Sequence, residues 1–312
     1  MSLLLSFLAS LPGSLSQGLL WSLMALGVYI TFKILDFADM TCDGSFALGG
    51  CISATMVVAL GMNPYISLLV ALLAGMLAGA VTGLLHTKLK IPAILSGILT
   101  MIALYSINLR IMGQANTPLL GVDTIVSLIK SIVPASISGS IKDSTLQTYV
   151  VILIGFVFTL AVIGLLYWFF GTEAGSALRA TGNNEDMIRA LGQNTDTMKI
   201  LGLMTGNGLV GLSGALVAQS QSVADIGMGQ GAIVIGLASI VIGEVIGGAL
   251  FGKKLSFAIK LTSVVIGSII YRIIIAAVLT LGLNTNDLKL LTAVIVAIAL
   301  AIPALTQKTS KK

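Results

Sequence analysis

Residues Gly171–Leu203, GTEAGSALRATGNNEDMIRALGQNTDTMKILGL, form a polar segment between two long apolar stretches. The segment mixes acidic and basic side chains, namely Glu173, Glu185, Asp186 and Asp196 with Arg179, Arg189 and Lys199. Asn183 or Asn184 is a suitable N-cap for a helix. Glu185 and Asp186 favour the positive end of a helix, and Gly192 suits a left-handed C-terminal stop. These signals predict a short helix from about Asn184 to Leu191 at the rim of a membrane.

The composition indicates an integral membrane protein. Hydrophobic residues make up 56% of the chain and charged residues only 9%, whereas soluble domains average about a quarter charged residues. The chain has 35 Gly and 6 Pro, a balance that suits membrane helices packed closely through small side chains. The net charge of +5 does not indicate nucleic-acid binding, because most basic residues fall in a few short loops on one side.

Apolar stretches of about 17–25 residues, long enough to cross a bilayer, predict nine membrane helices in an all-α fold. Residues 1–12 are expected to form a separate interfacial helix. The predicted spans are 15–35, 44–61, 64–86, 92–113, 146–170, 200–220, 230–250, 256–281 and 288–306. The whole chain, 1–312, is predicted to be one membrane domain with a polar loop at 171–199.

The distribution of Lys and Arg predicts the orientation of the spans. Twelve of the seventeen basic residues fall on the side of the 171–199 loop, four fall on the other side, and Arg272 lies within a span. The twelve are Lys33, Lys88, Lys90, Arg179, Arg189, Lys199, Lys253, Lys254, Lys260, Lys308, Lys311 and Lys312. Basic residues concentrate on the cytoplasmic side, so the first residue is expected outside and the last in the cytoplasm.

The segment LDFADMTCDGS, residues 35–45, has three carboxylates in eight residues. Hard-cation loops place their oxygens in tighter alternation with a closing Glu, so a structural role is favoured over a cation site. Asp43 or Thr41 is expected to cap the following helix. Cys42, Cys51 and His86 show no metal spacing. The chain also has no phosphate-binding loop or catalytic cluster, so no catalytic residue, metal or cofactor is assigned.

The polar segment resembles the cytoplasmic coupling loop of bacterial ABC importer permeases of the branched-chain-amino-acid and simple-sugar type. The resemblance rests on Leu178-Arg179-Ala180, on Gly182-Asn183, and on a short helix carrying Arg189 before Gly192 and Asn194. Residues 36–50 resemble a second element of the same family. The local sequences DFADMTCDGSF and IIYRIII are similar to those of tryptophan/tyrosine-type permeases. An ordinary solvated loop in another kind of membrane protein is the alternative.

The resemblance implies a type II-like permease subunit of an importer in the bacterial cytoplasmic membrane. It implies a homodimer in the lipid bilayer, two ABC ATPase subunits inside and a solute-binding lipoprotein outside. The loop residues expected to contact the ATPase are Arg179, Gly182, Asn183, Asn184, Glu185, Arg189 and Gly192. The substrate implied is an amino acid, with an aromatic one favoured. A simple sugar or nucleoside, and an ATP-independent secondary transporter, remain alternatives.

Polar residues within the apolar frame are candidates for the substrate pathway and its gate, because polar groups in a bilayer are costly unless wet or paired. The candidates are Asp43, Ser45, Asn207, Gln219, Ser222, Glu244 and Arg272. Gln219 and Ser222, at the outer end of a Gly-rich span, are candidates for an external gate that faces a water-filled cavity, and an ordinary solvated loop is the alternative. Glu244 has Lys253 and Lys254 as alternative partners to Arg272, which lies at a different depth, and a structural ion pair and a pathway role are both open for Glu244 and Arg272. Arg272 is a cation available to an anionic group, or a structural brace.

Overall fold

The computed structural model describes residues 2–133, 142–252 and 256–281, with residues 290, 292–294 and 296–297. The first half contains α1 (Ser2–Val28), continued by a π-helical segment (Tyr29–Ile34), α2 (Thr41–Val58), α3 (Pro64–Thr87), α4 (Ala93–Met112), strand β1 (Asn116–Pro118) and α5 (Ile125–Ile132). The second half contains α6 (Asp143–Gly171), α7 (Glu173–Asn183), α8 (Glu185–Ala190), α9 (Thr195–Gln221), strand β2 (Val223–Asp225), α10 (Ala232–Phe251) and α11 (Phe257–Thr280).

Eight helices among the described residues are long and apolar enough to cross a membrane. They correspond in order to the first eight predicted spans, so the prediction of an all-α membrane protein is confirmed. The ninth predicted span, 288–306, lies mostly outside the described residues.

The prediction of a separate interfacial helix at residues 1–12 is wrong. A single helix runs from Ser2 to Val28 with Pro12 in its interior. Membrane helices tolerate Pro where neighbouring groups re-satisfy the backbone. Ser10 and Ser14 on either side of Pro12 donate hydrogen bonds to the carbonyls of Phe7 and Ser10, whereas the carbonyl that Pro12 deprives of its amide donor is that of Leu8. The continuation to Ile34 makes this element the longest membrane-spanning helix among the described residues.

The centre of the bundle consists of α1, α2 and α9. In the most apolar 18-residue stretch of each, 83%, 78% and 78% of the residues are buried, compared with 28% for α4. Small residues let these helices approach their neighbours closely, as expected for membrane bundles. Gly75 and Gly79 of α3 lie directly against the backbone of Asn207 and Leu203 in α9. Any larger residue at either position would push α3 away from the bundle centre.

The two ends of the bundle differ in structure. One end carries α7 and α8, and we call it the polar end. At the opposite end, the hairpin end, β1 and β2 pair antiparallel with Thr117 opposite Ala224. The predicted all-α fold therefore misses one short two-stranded sheet. Also at the hairpin end, α5 begins with a capping box between Thr124 and Ser127 and buries Ile125.

Candidate functional site

Two consecutive short helices form the polar end. The predicted helix near 184–191 is present as α8, and the side chain of Asn184 accepts a hydrogen bond from the Met187 amide at 3.0 Å. Gly192 has the left-handed conformation expected of a C-terminal stop, with φ of 83°. The sequence did not predict α7, whose N-cap is Thr172. Together α7 and α8 place a compact helical unit between the long helices α6 and α9.

Glu185 is the centre of a charged cluster on α8. Its carboxylate lies 2.8 Å from Arg189 Nη2 and 2.6 Å from Lys199 Nζ in α9, and it accepts a hydrogen bond from the Thr195 hydroxyl at 3.2 Å. Partial burial alone would raise the pKa of Glu185, but the hydrogen bond and charge of Lys199, with Thr195 and Arg189, lower it below its ordinary value. These contacts hold α8 on the first turns of α9.

Arg179 and Gly182 fix α7 to the bundle. Arg179 donates a hydrogen bond to the Phe170 carbonyl at 2.8 Å, and its guanidinium carbon lies 5.2 Å from the centre of the Phe257 ring. Gly182 packs against the backbone of Ile34, the last residue of the π-helical segment. Of the predicted loop residues, Arg179 and Gly182 contact the membrane helices. Glu185 and Arg189 lie on α8, the next helix along the chain.

A cavity of about 650 Å³ opens beside α7 and is lined by charged residues from several helices. Asn183 and Arg179 line one side of this cavity, and Lys33 and Glu244 line another. Lys33 Nζ lies 3.1 Å from a carboxylate oxygen of Glu244. Lys253 and Lys254, the alternative partners named from the sequence, lie outside the described residues. Lys33 was missed as a partner because 211 residues separate it from Glu244.

Ser45 and Asn207 meet in a buried polar network. The Ser45 hydroxyl donates to the Asn207 amide oxygen at 2.7 Å. The Asn207 amide nitrogen donates to Asp39, and the other carboxylate oxygen of Asp39 accepts from the Thr41 amide at 2.9 Å. Ser45 and Asn207 are completely buried and Asp39 is 1% exposed. Asp39 was missed as a site residue, because its partner Asn207 lies 168 residues away in the sequence.

The predicted cap of α2 by Asp43 or Thr41 is wrong. The N-cap of α2 is Met40, which makes no side-chain capping bond, and the Thr41 amide donates to Asp39. Asp43 instead accepts hydrogen bonds from the amides of Gly231 and Ile233, both at 2.9 Å. Those amides begin α10, whose N-cap is Gly231. The first amides of a helix lack intrahelical acceptors and favour a negative charge. Asp43 therefore joins α2 to the start of α10.

Gln219 does not face water in this structure, contrary to the prediction. It is 1% exposed. Its amide oxygen accepts from the Ile125 amide at 2.9 Å, and its amide nitrogen donates to the hydroxyls of Ser53 and Ser67 at 2.9 and 3.0 Å. Gln219 thus connects α9 to α5, α2 and α3. Ser222 ends α9 in a left-handed conformation, with φ of 56°. The part of Gln219 and Ser222 in a gate stays a prediction.

Arg272 lies over the ring of Trp21, with its guanidinium carbon 4.2 Å from the ring centre. Its Nε and Nη2 atoms and the Trp21 Nε1 atom are buried without a hydrogen-bond partner in the part of the chain that the structure describes. Trp21 in turn packs on Phe46, with ring centres 4.7 Å apart. Arg272 contacts Trp21 whereas Glu244 pairs with Lys33. These separate partners agree with the predicted difference in depth between Arg272 and Glu244.

The chain matches the family described as the permease component of branched-chain amino acid transport systems, over residues 10–302. It is 43% identical over 287 residues to the tyrosine transport system permease protein of Clostridioides difficile (strain R20291), covering 92% of this chain and 89% of the relative. It is 31% identical over 291 residues to an uncharacterised protein of Rickettsia prowazekii (strain Madrid E), covering 92% and 95% of the two chains. No solved structure matches the chain significantly.

Proposed function

This chain belongs to the family of permease components of branched-chain amino acid transport systems, and we propose that it is the membrane subunit of an ATP-driven amino-acid importer. The observation that carries the proposal is the helical unit α7–α8, which places Glu185 and Arg189 at one end of an apolar bundle. The sequence has no phosphate-binding loop of its own. ATP hydrolysis is therefore assigned to two partner ATPase subunits.

In this proposal α8 docks on the ATPase at the cytoplasmic side of the bacterial inner membrane. The polar end faces the cytoplasm, because the basic residues Lys33, Arg179, Arg189, Lys199 and Lys260 of the sequence lie at that end of the helices. The hairpin end faces outward, where a solute-binding lipoprotein delivers the substrate. A second copy of this permease domain completes the passage, and both copies lie in the lipid bilayer.

The contacts at the polar end suggest how movement of the ATPase reaches the membrane helices. Movement of α8 is carried to α7, which lies directly on the π-helical segment through Gly182 and Ile34. The same segment holds Lys33, the partner of Glu244 in α10. Close backbone contact transmits displacement efficiently because neither side can yield by changing a rotamer. The Lys33–Glu244 pair is thus positioned to separate when α7 moves, as a cytoplasmic gate.

The proposed substrate is a zwitterionic amino acid, with an aromatic one favoured. The relative from Clostridioides difficile bears the name of a tyrosine transport system permease, and the substrate is proposed for this chain by that similarity. Arg272 on Trp21 supplies a cation in an apolar setting, where a charge-assisted contact with a carboxylate is stronger than in water.

The experiment that tests this function is reconstitution of the permease with its ATPase and binding protein in liposomes. We expect ATP-dependent uptake of tyrosine and stimulation of ATP hydrolysis by the loaded binding protein. Arg189→Glu should abolish uptake while the complex still folds, because exposed charges contribute little to stability. Lys142→Glu, an exposed charge change before α6, is the matched control and should leave uptake intact. Uptake of ribose and of no amino acid would refute the substrate assignment.

A further inference from the structure

A cavity of about 430 Å³ lies between α2, α4 and the segment that precedes α10. Ligand sites for small molecules typically span about 300–1,000 Å³, so this cavity has room for a molecule of amino-acid size. Its walls include the apolar side chains of Ala47, Met101, Ile102 and Ile226, and the ring of Tyr105. The apolar wall suits a hydrophobic or aromatic group.

The polar side chains that line the cavity are Asp43, Tyr105, Ser106, Asn108 and Gln230, and the acceptors of Asp43 and Asn108 are those that indicate a ligand. Asn108, which lines the cavity, is 1% exposed, and its Oδ1 atom has no hydrogen-bond partner among the described residues. Its Nδ2 atom donates to the Gly44 carbonyl at 3.4 Å. Because that carbonyl can only accept, the orientation of the amide follows from the contact, and the unpaired atom is the oxygen. A buried acceptor of this kind requires a donor from a ligand or from water.

Asp43 also lines this cavity and is the one charged residue among its described lining residues. Each of its carboxylate oxygens accepts one backbone hydrogen bond, from Gly231 or Ile233. A carboxylate oxygen has two acceptor sites, so capping α10 leaves capacity for a further donor. The anionic oxygen pair of Asp43 from α2 and the neutral amide oxygen of Asn108 from α4 favour a cationic donor over an anion.

From these contacts we infer that this cavity is a binding subsite for the ammonium group of a small organic amine, held by Asp43 and Asn108. An ammonium group has three donors and no acceptor, which matches the acceptors of Asp43 and Asn108. The apolar wall would hold the rest of the molecule. The link to an amino-acid substrate rests on the proposed function, but ammonium binding by the cavity does not.

The test uses the permease purified with its partner subunits in lipid nanodiscs and measures binding of tyramine by isothermal titration calorimetry. Tyramine has the phenol ring and the ammonium group of tyrosine but no carboxylate. The matched probe is 3-(4-hydroxyphenyl)propanoate, which has the ring and the carboxylate but no ammonium group. We expect saturable binding of tyramine and of tyrosine, and at least about tenfold weaker binding of the propanoate, a difference of about 1.4 kcal/mol.

Asn108→Leu should weaken tyramine binding by about tenfold or more. Ser96→Ala is the matched control, because Ser96 is a buried polar residue on the same helix whose hydroxyl donates only to its own turn. If Asn108→Leu does not fold, Asp43→Asn removes the charge while keeping an acceptor, and tyramine binding should again fall.

Absence of tyramine binding, equal binding of the propanoate, or unchanged tyramine binding in both variants would overturn the subsite. If tyrosine uptake persists in that case, the proposed function stands and the subsite alone fails. If tyramine binds through Asn108 but no amino acid is transported, the subsite stands and the proposed substrate fails.

Discussion

Lys33 Nζ lies 3.1 Å from each carboxylate oxygen of Glu244, joining the end of the first membrane helix to α10 across 211 residues. Both side chains are partly exposed, at 51% and 42%. An exposed ion pair contributes only about 0–1 kcal/mol to stability. The pair is therefore better suited to a contact that opens and closes than to holding the fold together.

Reversing one charge of this pair should impair transport more than stability. We expect Lys33→Glu or Glu244→Lys to lower ATP-dependent uptake on the order of tenfold, within the range of typical coupling energies. The double exchange should restore uptake, because it re-forms the pair in the opposite order. Reversal of Lys130, which pairs with Asp143 at 2.9 Å, is the control. Equal uptake in the single and double variants would rule out a gating role.

Gly182→Ala should displace α7. An added Cβ would fall on the backbone of Ile34 and Leu35, which cannot move aside as a side chain would. Overpacking of this kind typically costs about 1–3 kcal/mol. We expect a lower melting temperature and fewer substrate molecules transported per ATP hydrolysed.

Gly171→Ala is the control for that substitution, because an added Cβ there meets no atom within 4 Å. Its melting temperature and its transport ratio should match those of the wild type. The transmission of movement through Gly182 would be contradicted if Gly182→Ala transported normally despite a displaced α7.

Glu185 should make the stability of the polar end depend on pH. Its pKa is lowered in the folded protein, so its contribution is present above the unfolded value of about 4.3 and is lost as the pH falls through the folded value. The difference in melting temperature between wild type and Glu185→Gln should therefore be constant near neutral pH and shrink below about pH 4.

Glu173→Gln provides the comparison for Glu185, since Glu173 lies in the first turn of α7 and forms no ion pair within the described ranges. A melting-temperature difference for Glu185→Gln that stays the same from neutral to acidic pH would show that its ion pairs do not stabilise the fold.

Arg272→Gln should reduce tyrosine uptake strongly and lower the melting temperature little. The guanidinium gains a cation–π contact with Trp21, worth about 0.5–2 kcal/mol. It leaves two buried nitrogen atoms without partners among the described residues, so its removal also relieves a cost. Trp21→Phe keeps an aromatic ring under Arg272 and should retain uptake. A large loss of stability with normal uptake would identify Arg272 as a brace.

The sequence by itself determined those features that depend on a few neighbouring residues. Hydrophobic length identified the membrane spans, because a bilayer requires about twenty apolar residues whatever surrounds them. The Asn184 cap and the left-handed Gly192 were correct for the same reason: each satisfies backbone groups within one turn of its own helix.

Only the tertiary structure decided the partners of the polar residues within the bundle. Asp43 was expected to cap its own helix and instead caps α10, close to 190 residues later. Gln219 was expected to face water and is buried among three other helices. A polar residue in an apolar span must find a partner, but its identity depends on which helices pack together. That packing is set by close contacts such as Gly75 on Asn207 and Gly182 on Ile34, between residues far apart in the sequence.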